Sequence, residues 1–479
     1  MRPGRLHARD GADDHQRVDI RLSEVLAALS HALDITEGQP RGHSERTCLI
    51  AMRIADQLGL DEQTRSSLFH AALLKDAGCS SNAAKVASLY GADDAVVKRD
   101  RKVTDHLDAG QSVRHLVRST APGRSPLAKA RQLRLLVAHG SAGSRGLTEL
   151  RCERGAAVAR SVGLSLEAEA AIRHLDEHWD GRGYPNSLVG EKISLSGRIL
   201  CLAQTAEVFW QDGGAAGACQ VARDRRGTWF DPALVDALCA AEHDDAFWGT
   251  LAVPRVAALE PVDRLLLTDD DGLDRIAQAF AGIVDAKTPF TARHSDGVAE
   301  IAVRLGAALG FDADGLRELR RAGLLHDIGK LGVSNRILDK PGKLEAGEWA
   351  AVRRHPQWTL EILRNVPAFA ELAELAANHH EKLDGSGYFR GLTAEHLTLP
   401  ARILAVADIA EALSAARPYR DALAPDTVLD IMRSDAGHAL DPRVFAALEG
   451  VLPQWSASTA STAPTAAAAT TPTSLRAAA

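Results

Sequence analysis

The sequence predicts an all-α protein made of two related helical domains in tandem. Three observations predict it. Aromatic residues are only 4% of the chain, while Ala, Leu and Arg are abundant and lose little on entering a helix. Apolar residues recur at i, i+3, i+4 and i+7 in LRELRRAGLLHDIG, AELAELAANHHE and PARILAVADIAEALSAA, and no run alternates as half-buried strands do. The chain also repeats itself once, which suggests a duplicated domain rather than a solenoid.

In chain order, residues 1–18 are polar and rich in Gly, Asp and Arg. Such a segment buries too little apolar surface to offset its ordering entropy, so it is expected to be disordered. The first copy is placed at 19–252. Its GHSERTCLIAMRIADQLGLDE (42–62) and LLKDAG (73–78) answer RHSDGVAEIAVRLGAALGFDA (293–313) and LLHDIG (324–329). Further on, WDGRGYPNSLVGEKISLSGRILCLA (179–203) answers LDGSGYFRGLTAEHLTLPARILAVA (383–407). His43 and His294 differ by 251 positions, as do Lys75 and His326; Asp180 and Asp384 differ by 204, as do Gln204 and Asp408. The first copy therefore carries about 47 extra residues within 80–175. A linker is read at 253–272 and the second copy at 273–455. Gly329, Gly332, Pro341–Gly342 and Gly385–Gly387 mark its loops. The tail, 456–479, is nearly all Ala, Ser, Thr and Pro and is expected to be disordered.

The 479 residues are 46% hydrophobic and 25% charged, with a net charge of −7. That balance suits a globular protein and offers no broad basic surface for nucleic acid. Cys48, Cys79, Cys152, Cys201, Cys219 and Cys239 are scattered, without a C-x-x-C pair, and read as buried thiols rather than a disulfide framework. No apolar run approaches the ~18 residues that span a bilayer, and MRPGRLHARDGADDHQR lacks the apolar centre of a signal peptide. The expectation is a cytoplasmic protein without membrane insertion.

The second copy has seven histidines: His294, His326, His355, His379, His380, His396 and His438. Alone, each has an ordinary reading. His-Asp dipeptides are common, His355 before Pro356 reads as a loop residue, and Asp408 could be a buried ion-pair partner. As a set they point to a shared polar centre. His326–Asp327 ends an apolar helix face and Asp408 is embedded in ILAVADIAEAL, where a carboxylate needs a partner or a metal. Imidazole combined with carboxylate suits a transition metal. One carboxylate can bridge two ions ~3.5–4 Å apart, which can activate water and stabilise the leaving oxygen of a phosphodiester.

The motifs occur in the order His294; His326-Asp327-Ile328-Gly329-Lys330; Lys340-Pro341-Gly342-Lys343-Leu344; Arg354-His355-Pro356; His379-His380-Glu381; Asp384-Gly385-Ser386-Gly387-Tyr388; Val406-Ala407-Asp408; and Arg417-Pro418-Tyr419-Arg420. In that order, over about 285–450, the chain resembles the HD-GYP phosphodiesterases. The resemblance implies an HD-superfamily helical fold for both copies and hydrolysis of cyclic di-GMP to the linear dinucleotide, or on to GMP. It implies two divalent transition-metal ions, iron or manganese. One would be held by His294, His326, Asp327 and Asp408, and the other by Asp327, His355, His379 and His380. Asp327 would bridge them and share a nucleophilic hydroxide. Lys330 would neutralise the scissile phosphate, Arg417 and Arg420 would hold phosphate or guanine, and Asp384, Gly387 and Tyr388 would position the substrate. Partner docking through the GY loops, with a diguanylate cyclase or another protein, and a homodimer are further expectations.

Three departures stand out. Phe290 occupies the position where some members place a third-metal Glu, so two metals are expected. Phe389 replaces the motif Pro, whose fixed φ is near −65°, and a looser loop is expected. Leu383 stands where an aromatic is common. The first copy keeps His43, Asp76 and Gly183-Tyr184-Pro185, but has Lys75, Leu175, Asp176 and Gln204 at ligand positions and Cys79 at the lysine position. It shows no recognisable Arg-His-Pro element. It is expected to hold no catalytic metal, although His174, Glu177 and His178 lie nearby, and to serve regulation or dimerisation. Two rival readings are a cyclic di-GMP sensor or docking module without turnover, and an HD phosphohydrolase of another nucleotide.

Overall fold

The computed structural model describes residues 20–261, 266–289, 293–415 and 421–462. Within them the fold is all-α. The one strand pair is two residues long, Ile20–Arg21 running antiparallel to Leu267–Thr268. Residues 1–18 and the tail beyond Thr462 lie outside the described residues. The last helix, Pro442–Thr462, runs past the Ser456 boundary, in keeping with the helix propensity of its alanines. The second copy's leading helix begins at Asp270, earlier than 273, because Asp269 caps it by accepting from Gly272 N at 2.8 Å.

Each copy opens with the same turn chemistry. Helix His43–Leu58 ends at Gly59 (φ 61°), and Asp61 caps the next helix, Glu62–Leu74. Helix His294–Ala308 is followed by Gly310 (φ 85°), and Asp312 caps helix Ala313–Leu325. Glycine supplies the left-handed residue and aspartate satisfies a free N–H, so the repeated G-L/F-D dictates the same hairpin twice.

The copies are not independent bodies. One continuous apolar core runs from Leu26, Leu33 and Phe69 of the first copy to Phe280, Ile328, Leu363 and Phe369 of the second. A smaller core around Ile301, Leu404, Val444 and Trp455 belongs to the second copy alone. The leading helices pack reciprocally. Leu22–Thr36 lies on the second copy's turn Ile328–Gly332 and helix His355–Arg364, while Asp270–Asp285 lies on the first copy's turn Cys79–Asn82 and helix Pro126–Ser161.

The insertion lies between Asn82 and Arg151. It forms helices Ala83–Tyr90, Asp94–Val103 and Ala109–Ser119 and the start of Pro126–Ser161, where the second copy has only Asn335–Leu338 and Ala346–Val352. The copies come back into register at a close backbone contact. A Cβ on Gly329 would lie 2.0 Å from His355 O, and one on Gly78 would lie 1.8 Å from Arg151 O. Arg151 therefore takes the place of His355. The Arg-His-Pro element that the sequence hides is present in position, with an arginine instead of the histidine. All six cysteines are free thiols, and no helix among the described residues is long and apolar enough to cross a membrane.

Candidate metal centre

The second copy brings five of its seven histidines together at helix ends. His294 opens its helix behind Arg293 (φ 69°), His326 and Asp327 follow helix Ala313–Leu325, and His355 opens helix His355–Arg364. His379 and His380 follow helix Leu372–Ala377, and Asp408 sits within helix Leu399–Ser414. All are buried except the half-buried His380.

Helix ends explain the orientation. Carbonyls of a last helical turn have no i+4 partner. Three of them accept an imidazole Nδ1–H from three residues on: Gly323 O from His326 (2.7 Å), Val352 O from His355 (2.8 Å) and Ala376 O from His379 (2.7 Å). This fixes the tautomer and leaves each Nε2 as a lone pair facing inward; metal-binding imidazoles are typically held by such a bond from the other ring nitrogen. His294 is oriented differently, donating Nδ1–H to the Glu411 carboxylate.

Asp327 sits between two pairs of imidazoles. Its Oδ2 lies 3.3 Å from His326 Nε2 and 3.5 Å from His294 Nε2; its Oδ1 lies 3.3 Å from His355 Nε2 and 3.6 Å from His379 Nε2. Asp408 Oδ1 lies 3.4 Å from His294 Nε2, and its Oδ2 lies 3.7 Å from His380 Nδ1. Donors of His355, His379 and His380, of His294, His326 and Asp327, and of His326, His379 and Asp408 each gather within 4.8 Å.

The donor set fits metal. His326 Nε2 and Asp327 Oδ1 are buried without a hydrogen-bond partner, which is costly unless a cation is their partner. The Nε2 atoms of His355 and His379 face each other at 3.1 Å with both Nδ1 protons committed elsewhere. Burial pushes His355 down to about 3 and His379 to about 4, so both imidazoles are neutral near pH 7. Burial works against Asp327, but His326 and Lys330 hold its carboxyl well below the usual range. For His294, burial is outweighed by Asp327, Asp408 and Glu411, which raise it well above the ordinary value.

Lys330, on the turn Ile328–Gly332, pairs with Asp327. Tyr388 lies over His380 with centroids 4.5 Å apart, and the Arg353 guanidinium lies 5.4 Å from its ring. Gly387 packs against the histidine segment so closely that a Cβ would fall 2.5 Å from Glu381 Cα and 2.6 Å from His380 O. Asp384 is exposed, accepts from Ser386 N at 2.9 Å and stands outside the cluster. His396 and His438 also stand apart, beside Thr393 and Asp435. Arg417, Arg420 and Phe290 lie outside the described residues.

The φ of Phe389 is 99°, far from any proline value. Its loop is held by Glu381, which accepts from Arg390 N and Leu392 N, both at 2.8 Å.

Glu411, Asp285 and Glu381 were not legible as functional residues by type, but the repeat marks them. Glu207 contacts His43 as Glu411 contacts His294. Asp34 accepts from Ser44 as Asp285 does from Ser295. Glu177 holds its loop through Asn186 N and Leu188 N.

In the first copy the supporting carboxylates survive and most of the candidate ligands do not. Lys75 pairs with Asp76, Arg151 pairs with Asp176, and Leu175 and Gln204 fill two further ligand positions. Glu37, Asp76 and Cys79 are close enough to share an ion, but Lys102 lies 3.1 Å from Glu37 and 3.7 Å from Asp76. His174, Glu177 and His178 point to separate partners: Ser194, loop amides and Trp229.

The chain matches the HD-domain family model over residues 141–234 and 278–444. It is 44% identical over 436 residues to a protein named 3′3′-cGAMP-specific phosphodiesterase 3 of Vibrio cholerae, covering 90% of this chain and 94% of that one. A crystal structure of a cyclic GMP-AMP specific phosphodiesterase of V. cholerae superposes with a TM-score of 0.62 at 38% identity, over 91% of this chain and 98% of that one. A cyclic di-GMP phosphodiesterase response regulator of Xanthomonas campestris is 36% identical over 178 residues, 37% of this chain and 46% of that protein.

Proposed function

The chain belongs to the HD-domain family as a phosphodiesterase of the HD-GYP type, and from that premise we propose that its second copy hydrolyses a 3′,3′-cyclic dinucleotide to the linear form. The observation that carries the reading is the buried Asp327 carboxylate with two inward imidazoles on each oxygen. His294, His326, Asp327 and Asp408 would hold one divalent cation, and Asp327, His355, His379 and His380 a second. The cations would supply water activation and charge neutralisation at phosphorus. The protein supplies the rest. Lys330 places a positive charge beside Asp327, Tyr388 offers a ring beside His380, and Gly387 lets the loop close over the histidines.

Two substrates come into view. The relative that matches across both copies is named for 3′3′-cGAMP, which favours the mixed dinucleotide. Relatives named for cyclic di-GMP match over about the length of one copy, and cyclic di-GMP is the second reading. The test is hydrolysis of each by protein loaded anaerobically with iron(II) or manganese(II), with Asp327→Ala as control. Metal-dependent turnover lost in the control is expected, with 3′3′-cGAMP the faster substrate. No turnover despite two bound metals and tight dinucleotide binding would instead make the protein a sensor.

A further inference from the structure

The first copy has a cavity where the second has its metal centre, and the insertion rebuilds its walls. The cavity measures ≈ 190 Å³. Inserted helix Asp94–Val103 brings Lys98, Arg101 and Lys102 to it, and Arg151 and Arg182 add two more cations, against the lining carboxylates Glu37 and Asp176. Most of these cations have carboxylate partners: Lys98 and Lys102 with Glu37, Arg151 with Asp176, Arg182 with Asp180. Arg101 has no ion-pair partner among the described residues and is half-buried at the wall.

Part of the wall is aromatic. His178 stacks on Trp229 with centroids 4.0 Å apart and planes 22° from parallel, His106 lies 6.0 Å from Trp229 at 23°, and the Arg225 guanidinium lies 4.2 Å from the Trp229 ring. Four lining side chains, each less than a tenth exposed, carry a polar atom without a hydrogen-bond partner: Glu37 Oε1, Asn82 Oδ1, His178 Nδ1 and Gln204 Oε1. Buried polar atoms of this kind are normally satisfied; Glu37 Oε1 has the Lys98 ammonium 3.9 Å away, and the other three ask for a ligand.

We propose that this cavity is a metal-independent site for a single nucleotide unit, with its phosphate on Arg101, Lys102 and Arg151 and its base against the His178–Trp229 wall. Guanidinium and ammonium groups bind phosphate without a divalent ion. An aromatic wall stacks a base with little regard to its identity. Asn82 Oδ1, His178 Nδ1 and Gln204 Oε1 offer hydrogen bonds to a base edge or ribose. At ≈ 190 Å³, below the ~300–1,000 Å³ of drug-sized ligand pockets, the cavity has no room for a whole cyclic dinucleotide.

The test is calorimetric titration of the full-length chain, stripped of metal with chelator, using 5′-GMP, 5′-AMP, guanosine and inorganic phosphate as probes. One site for the nucleotides is expected, weakened at least tenfold for guanosine and for phosphate. Arg101→Gln, which breaks no ion pair, should weaken nucleotide binding at least tenfold with an unchanged unfolding temperature, and His380→Ala in the other copy should leave it alone. No binding of either nucleotide at millimolar concentration would overturn the proposal. So would binding that survives Arg101→Gln and is lost in His380→Ala, or phosphate binding as tightly as GMP.

Discussion

At the scale of single residues, the candidate ligand set was legible because each member sits in a short motif, all but Asp408 at a helix end. Helix ends are where backbone carbonyls are free to orient an imidazole, so His326, His355 and His379 could be read from sequence and then explained by geometry. Glu411 could not be read in the same way, since a glutamate in a helix resembles any solvated residue until its partner is known. Its contact with His294 leads to a prediction. Glu411→Gln keeps a hydrogen-bond acceptor but loses the charge that helps raise His294. Removing such support from a metal ligand costs roughly 10–100-fold in metal affinity or activity. Manganese(II) titration of the purified variant checks this. Affinity within twofold of the wild type would mean that Glu411 is only a packing residue.

At the scale of elements, the G-L/F-D hairpins and the glycines of the turn Ile328–Gly332 were visible, but their contacts were not. Gly329 presses on His355 O so closely that a methyl group would need the backbone to move. Gly329→Ala is expected to destabilise the protein by about 3 kcal/mol or more, at the severe end for single substitutions, and urea unfolding measures it. A midpoint like the wild type's would show that the turn has room to shift. The loop after Tyr388 keeps the same pair of hydrogen bonds to a glutamate in both copies, Glu381 here and Glu177 in the copy that retains its proline. What the missing proline changes is the backbone at Phe389, which is left-handed. Restoring the motif should therefore harm. Phe389→Pro cannot adopt φ 99° and is expected to cost more than about 1 kcal/mol. A raised unfolding temperature would show that the loop can take the proline form without loss.

At the scale of the whole molecule, the repeat predicted two domains but not that they share a core. Periodicity reports which face of a helix is buried, not which partner buries it. Helix Leu22–Thr36 covers the turn that carries Lys330, so cutting the chain near residue 265 should leave an insoluble or inactive second copy; a soluble, fully active fragment would argue for separable domains. Polar contacts tie the same interface. Asp94 Oδ1 accepts from Asn335 N at 3.2 Å, Asn335 donates to Lys287 O at 2.7 Å, and Lys287 Nζ donates to Leu331 O at 2.7 Å. Burial lowers Lys287 to about 8, opposed by Asp94, Asp93 and Asp339 and reinforced by Lys98. The sign follows from linkage. Between about pH 8 and the unfolded lysine value near 10.4, the native chain has released this proton and the unfolded chain has not. Stability from this group therefore rises with pH in that window, by up to ~1.4 kcal/mol per unit. Lys287→Met removes the titration, so the stability of the wild type relative to the variant should increase by about 1–2 kcal/mol from pH 8 to pH 9.5. Urea unfolding of both proteins in chelator at the two pH values measures the difference. A difference that does not move with pH would place Lys287 in contact with water and leave the interface held by its apolar core alone.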